Sequence, residues 1–408
     1  MQHYNYLIIG GGMTAAAAVE GIREIDSEGS IGLVSAEANP PYDRPPLSKG
    51  LWKGKEQESI WRAMDNFGVE LHLEQMAQPL DPRQKQVIVR PVAQLQHQGP
   101  SHQETVFTYD TLLLATGGTP RRLPFGKDQI LYYRTLEDYH RLRALTETKQ
   151  RFAVIGGGFI GSEIAAALAM NGKEVVMIFP EKGIGGAIFP PDLTLFLNDY
   201  YQEKGVEVMA EDLVSSLEEL PDQQISLTTK SGRRVEVDAV VAGIGIEPNV
   251  ALAQRAGLKV DNGIIVDEFL RTSDPAIFAA GDVANFYNPI LEMRLRVEHE
   301  DNANTMGRLA GRAMAGESAP YNYLPFFYSD LFDLGYEAIG ELNPTLDVVA
   351  NWREPFREGI IYYLRNRRVR GVILWNSWGL VDAARQLLAE PKLFKPEELT
   401  DRLEAVAS

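Results

Sequence analysis

Apolar residues first gather in a short run, Leu7 to Ile9, followed by Gly10, Gly11 and Gly12 and then an alanine-rich stretch. So short a run predicts a buried parallel strand, and the alanine-rich stretch predicts a helix. Residues 31–35 give a second buried strand. Strands are expected at 85–90 and 104–109 around a polar loop at 96–103, and 109–118 reads as a buried strand ending in glycines. The order then returns as a coarse internal repeat. It comprises a strand and glycine turn at 152–161, a helix, a strand at 174–179, a hairpin of 225–229 with 233–237 around Ser231 and Gly232, and a strand at 237–245 ending in glycines. Strands at 264–267 and 276–280 follow, the second running into Gly281 and Asp282 and closing the first domain. Residues 297–315 predict a helix with acids in its first turn. From about Pro320 the pattern turns aromatic. An antiparallel sheet is expected from 335–342, 348–352, 359–364 and 369–375, with a solvated turn at 366–368. Leu380, Val381, Ala384, Leu387 and Leu388 then share one helix face.

The pattern predicts an α/β chain with two Rossmann-like units and a smaller α+β C-terminal domain, and 408 residues are long for a single core. The net charge of −16 argues against general nucleic-acid or anionic-membrane binding. No apolar run reaches the roughly 18 residues of a transmembrane helix. A first strand beginning near Tyr4 leaves no room for a targeting peptide, so a cytoplasmic location is expected. With no cysteine, structural disulfides, thiolate metal sites and dithiol redox chemistry are excluded, and no metal site is expected.

The glycine turns carry the chemistry. Gly10 allows a tight turn, Gly12 lets the backbone approach a pyrophosphate, and Ala15 replaces the third glycine. Met13 and Thr14 open the helix whose first N–H groups face the phosphates. The second unit has the full pattern, Gly156, Gly158 and Gly161, with Phe159 and Ile160 inside it. Two such turns imply one resident and one visiting dinucleotide. Glu37, after the second strand, is the candidate acceptor of ribose hydroxyls, or else a solvated loop carboxylate. Prolines 40, 41, 45 and 46 stiffen the next loop. That loop places Arg44 and Lys49 on a ligand, or is a rigid surface connection with solvated charges.

In combination these motifs are specific. Arg44-Pro-Pro-Leu-Ser-Lys49, the turn from Gly156 to Glu163, Phe179-Pro-Glu-Lys-Gly183, Arg296-Val-Glu-His299 and the stretch from Ser329 through Gly335 to Gly340 give the chain its likeness. It resembles the FAD-containing NADH reductases of the ferredoxin-reductase type, over nearly its whole length. Within them it is most similar to apoptosis-inducing factor and its bacterial relatives, a branch favoured by 360–364 and 372–376. The long C-terminal insertion of that branch is missing between Val349 and Gly359.

The resemblance implies a glutathione-reductase-like fold. FAD would occupy 1–118 with 246–320, NADH would occupy 119–245, and 321–408 would form the third domain. Hydride would pass from NADH to flavin N5, and electrons then to an external acceptor. Lys49 would lie near N5, paired with Glu163, because a cation there stabilises reduced flavin. Phe159 would cover the flavin until the nicotinamide displaces it. Asp282 would bind the ribityl or pyrophosphate region, and Glu298 and His299 the pyrimidine edge. Arg44, Ala77 and Arg134 match further FAD contacts, and Ala115, Thr116, Gly117 and Gly245 lie at the glycine ends of the paired strands. Glu181 would accept the ribose hydroxyls of NAD and repel the 2′-phosphate of NADP. The acid for the FAD ribose aligns with Ala36, one position before Glu37. Tyr328 stands where a tryptophan usually faces the nicotinamide. The animal members bind DNA through a basic surface, and a chain at −16 is not expected to do so, although net charge does not argue against a local basic patch. The leading expectation is an NADH oxidoreductase with a quinone or other small acceptor. The alternatives are an NADH-dependent ferredoxin or rubredoxin reductase, and an NADH-responsive interaction protein whose assembly, a homodimer for instance, follows flavin redox state.

Overall fold

The computed structural model describes residues 1–95, 104–221, 223–400 and 402–403, so the polar loop expected at 96–103 lies outside the described residues. The chain divides into two compact units. One comprises Met1–Asp43, Glu56–Thr119 and Glu247–Pro325, the other Arg44–Lys55, Pro120–Ile246 and Phe326–Ser408.

In the first unit the run around Leu7 becomes the strand Gln2–Ile9, at the centre of a seven-stranded sheet. Ile31–Val34 pairs with it in parallel on one side and Thr105–Leu114 in parallel on the other. The chain therefore leaves the central strand where its neighbours diverge, the crevice in which open α/β sheets bind ligands. The strands expected at 104–109 and 109–118 are one strand, Thr105–Leu114, with the glycines beyond its end. Its neighbours change while the strand runs on. Its first half pairs antiparallel with Gln86–Pro91, its second half parallel with Ile277–Ala279, and Gln2–Ile9 accompanies both. The strand expected at 264–267 shrinks to Ile264–Ile265.

The helix Met13–Arg23 buries its alanines, and it crosses a second helix, Glu300–Met314, at main-chain contact. A Cβ on Gly307 would stand 2.4 Å from the Thr14 carbonyl oxygen, one on Gly311 2.0 Å from that of Ala18, and one on Gly21 2.1 Å from that of Arg308. Only glycine permits this approach. The second helix begins at Glu300 rather than at 297. His299 takes the extended backbone of a capping residue (φ −121°, ψ 154°), so Val297 and Glu298 lie ahead of the helix.

The second unit holds a parallel five-stranded sheet in the order Val206–Met209, Glu174–Ile178, Arg151–Ile155, Ala239–Ala242, Ile130–Tyr132. Its glycine turn again follows the central strand at the divergence. The expected hairpin is present as Ile225–Thr229 and Arg234–Val237, extended by Val214–Glu219. The unit also contains an antiparallel sheet in the order Phe326–Leu331, Leu334–Gly340, Arg368–Trp375, Glu358–Arg365, Asp347–Glu354. Its first strand was not among those expected. The helix Val381–Ala389 packs Ala384, Leu387 and Leu388 inward. Among the described residues no helix is long and apolar enough to cross a membrane, and no group of acids and histidines could hold a metal ion.

Candidate functional site

In the first unit Gly10 has φ +127°, and a Cβ there would lie 2.0 Å from the carbonyl oxygen of Ala115, at the end of the neighbouring strand. Gly12 caps the helix Met13–Arg23 with no side-chain hydrogen bond, and a Cβ there would meet nothing within 4 Å. The helix end thus presents main chain and open space, which fits a pyrophosphate. Met13 and Thr14 form its first turn. Gly281 packs so tightly on Thr14 that a Cβ would lie 2.2 Å from its Oγ1, which sets Asp282 beside that turn. Arg296 Nη1 donates to the Asp282 carbonyl at 3.1 Å and bridges Glu298 at 2.6 Å, so Asp282, Glu298 and the adjoining His299 come together. Thr116 and Asn249 exchange hydrogen bonds of 2.8 Å just before Gly117, which has φ +61°. Ala77 is buried in the strand Gln75–Asp81. Glu37 lies next to the first glycine turn. Its N–H donates to Ser35 Oγ, whose side chain fills the space over Gly11, and its carboxylate accepts the Tyr42 hydroxyl at 2.6 Å.

In the second unit Gly156 has φ +115°, and a Cβ on Gly161 would lie 2.1 Å from the Gly156 carbonyl oxygen. Gly158 caps the helix Phe159–Met170 with no side-chain bond and nothing within 4 Å of its Cβ position, again an open anion-binding end. Ile160 is 36% exposed at that end. Glu181, past the strand Glu174–Ile178, is exposed, and Lys182 beside it is exposed too. Gly245, after Ala239–Ala242, has φ +87° and accepts the Arg121 N–H through its carbonyl. Arg44 Nη1 donates to the Arg134 carbonyl at 3.0 Å.

Glu163 lies on the same helix, 3% exposed. It accepts Lys49 Nζ on Oε1 at 2.7 Å, the Ser329 hydroxyl on Oε1 at 2.5 Å and the Ser48 hydroxyl on Oε2 at 2.5 Å. The loop that delivers Ser48 and Lys49 is pinned at Leu47, whose carbonyl accepts the Trp52 indole N–H at 2.8 Å and the Tyr133 hydroxyl at 2.5 Å. The Tyr328 ring centroid is 5.1 Å from Lys49 Nζ, and Phe159 meets Phe327 edge-on at 5.1 Å. Burial pushes the phenols of Tyr133, Tyr201 and Tyr336 well up, and the Glu163 charge adds to this, so these neighbours stay neutral. The constellation is a buried carboxylate with donors on both oxygens, holding one cation.

Lys49, Glu163 and Tyr328 are thus brought together with Ser48 and Ser329, which sequence reasoning did not single out as site residues. A signal for Ser329 exists: Ser329 and Leu331 alternate as the buried positions of Phe326–Leu331, so a polar residue stands in an inward-facing row.

The family model described as pyridine nucleotide-disulphide oxidoreductase matches residues 4–307, and that described as apoptosis-inducing factor, mitochondrion-associated, C-term, matches 349–390. Mitochondrial apoptosis-inducing factor 1 of Dictyostelium discoideum is 32% identical, over 95% of this chain and 79% of that protein. Putidaredoxin reductase of Pseudomonas putida is 30% identical, over 97% of this chain and 94% of that protein. Among solved structures, the covalent putidaredoxin reductase–putidaredoxin complex has a TM-score of 0.89 and 29% identity, with 100% of both chains covered. A ferredoxin reductase from Rhodopseudomonas palustris has a TM-score of 0.88 and 28% identity, with 99% of this chain and 100% of that one covered.

Proposed function

The chain belongs to the pyridine nucleotide-disulphide oxidoreductase family and is an FAD-dependent NAD(P)H oxidoreductase, and from that premise we propose that it prefers NADH and passes electrons singly to a ferredoxin-type protein. The observation that supports the acceptor is the likeness, over nearly all of the described fold, to putidaredoxin reductase, a protein solved in covalent complex with putidaredoxin, and to a second ferredoxin reductase. A quinone or other small acceptor is the second reading, favoured by the C-terminal match at 349–390. With no cysteine, the chain has no dithiol of its own to place between flavin and acceptor.

Bound FAD supplies a two-electron carrier that takes hydride from NADH and serves two one-electron acceptors in turn. The glycine turns at Gly10 and Gly156 present helix ends to the two pyrophosphates, with 1–118 and 246–320 as the FAD domain and 119–245 as the NADH domain. Lys49 offers a fixed positive charge to the electron-rich ring, and Glu163 aims it. Phe159 yields its place to the nicotinamide, and Tyr328 faces it. Glu181 accepts the ribose hydroxyls and repels a 2′-phosphate. Glu298, His299 and the helix behind them stabilise negative charge at the pyrimidine edge.

The test is anaerobic reduction by NADH and NADPH followed at the flavin absorbance, then turnover with a ferredoxin, a benzoquinone and ferricyanide. The expected result is one FAD per chain, faster reduction by NADH, and ferredoxin turnover matching the rate of reduction. Ferredoxin turnover far below that rate, with fast quinone turnover, would replace the first reading by the second.

A further inference from the structure

Glu163 carries more donors than pairing with Lys49 requires. A carboxylate held by one ammonium can swing about its last torsion, where no sharp rotamer confines it. Here Oε1 accepts both Lys49 and Ser329, and Oε2 accepts Ser48. With both oxygens tied, the plane of the carboxylate is fixed, and the direction in which it holds Lys49 is fixed with it. The Ser48 hydroxyl also stands 3.5 Å from the Pro45 carbonyl, but its single proton goes to the carboxylate at 2.5 Å, the stronger acceptor. Ser48 and Ser329 are 6% and 1% exposed, so both hydrogen bonds are shielded from bulk solvent.

The donors come from different places. Ser48 sits on the loop that delivers Lys49. Ser329 sits on the C-terminal strand Phe326–Leu331, opposite Tyr336, which stacks on Trp375 with centroids 5.6 Å apart. That strand therefore meets the ion pair twice, through the Ser329 hydroxyl and through the Tyr328 ring under Lys49. A second tether reinforces it, Lys53 bridging Asp330 at 3.1 Å.

We propose that Ser329 and Ser48 are positioning residues that act through Glu163 to hold the Lys49 ammonium in its working place, so that the C-terminal sheet sets the charge presented to the flavin. The proposal rests on Lys49 facing the flavin. A displaced cation stabilises the electron-rich reduced ring less, so loss of either hydroxyl makes the flavin harder to reduce.

The experiment uses full-length holoprotein carrying Ser329→Ala, Ser48→Ala, Glu163→Gln, Lys49→Met and the two serine variants combined with Glu163→Gln. The flavin midpoint potential, the rate of reduction at saturating NADH, the NADH KM and the apoprotein unfolding midpoint are measured. Each serine variant is expected to slow reduction about tenfold, leave KM within twofold, and lower the potential by about 30 mV, the two-electron equivalent of tenfold. In the Glu163→Gln background the same changes should shrink below twofold, because residues acting through one group are not additive. Lower unfolding midpoints with unchanged potential and rate would reduce the serines to packing and overturn the proposal. Full-sized effects in the Glu163→Gln background would overturn it as well. An unchanged potential and rate in Lys49→Met would instead remove the role assigned to Lys49, and the proposal with it. If Ser329→Ala does not fold, Ser48→Ala carries the same comparison.

Discussion

Replacing Gly161 with alanine should impair the use of NADH while leaving FAD in place. The added Cβ would stand 2.1 Å from the Gly156 carbonyl oxygen and 2.8 Å from its carbon. A comfortable C···O contact is about 3.3 Å, so the helix Phe159–Met170 must withdraw by roughly 1 Å. No side chain can yield instead. A Cβ on Gly156 would lie 2.4 Å from the Gly243 carbonyl oxygen, and one on Gly243 2.7 Å from the Gly161 nitrogen, so strand end, turn and helix interlock through main chain. Strain of this kind costs about 1–3 kcal/mol, and a 1 Å displacement of positioning groups costs on the order of 10²-fold in rate. Steady-state assay with ferricyanide should show kcat/KM for NADH lower by about 100-fold, through KM and kcat together, since the same helix carries Glu163. FAD per chain should stay at the wild-type value, since the first turn belongs to the other unit. A loss under threefold, or a parallel loss of FAD, would refute the reasoning.

Glu181→Ala should narrow the preference for NADH by about tenfold or more, the equivalent of one charge-assisted hydrogen bond. Glu181 is exposed, so its unfolding midpoint should not move, and an unchanged ratio of kcat/KM values would reject the assignment. Lys49→Ala and Glu163→Ala should each slow flavin reduction, yet cost less together than their sum, because they touch at 2.7 Å; strict additivity in stopped-flow rates would contradict contact. At Asp212, burial alone would raise the carboxyl, but hydrogen bonds from Ser231, Thr229, Arg233 and the Leu213 N–H outweigh it and hold the group far below the ordinary carboxylate range. A depressed carboxylate stabilises the fold above its unfolded value of about 3.9 and loses that contribution as pH falls. Asp212→Asn should therefore be less stable than wild type at pH 6 to 7, with the gap closing below about pH 4 in urea unfolding. A gap that stays constant down to pH 3 would count against the network.

The central strand of each Rossmann-like sheet and its parallel neighbours Ile31–Val34, Glu174–Ile178 and Ala239–Ala242 could be read from the sequence, because each central strand is a short apolar run closed by glycines, whereas the outer strands Val69–His72, Ile130–Tyr132 and Val206–Met209 were not. Local order carried that much. The strand Thr105–Leu114 was read as two because its partner changes from antiparallel to parallel midway, and a partner is not written in the strand itself. The helix start at Glu300 was placed three residues early because Glu298 and His299 continue a helical composition while taking extended backbone ahead of it. The union of Lys49 with Glu163 spans two distant stretches, and only likeness to a family suggested it. Ser329 was missed for the same physical reason. A serine in a strand is ordinary until its partner, on a helix far back in the chain, is known. The strand that carries it escaped notice because Phe326, Phe327 and Tyr328 blur the alternation of inward and outward positions.

The crossing of Met13–Arg23 with Glu300–Met314 works as a fixed caliper. From the turn at Gly307 to His299 is about eight residues, roughly 12 Å of helix, and from Ala18 back to Gly12 about six, roughly 9 Å. Both jaws, each a helix end with positive character, hang from one joint in which carbonyl oxygens occupy the places that Cβ atoms of Gly21, Gly307 and Gly311 would take. At all three glycines the nearest atom is a main-chain carbonyl oxygen, so no flexible side chain can yield there to reset the gap. The jaws keep one setting, and a Cβ at any of those three glycines would open both together.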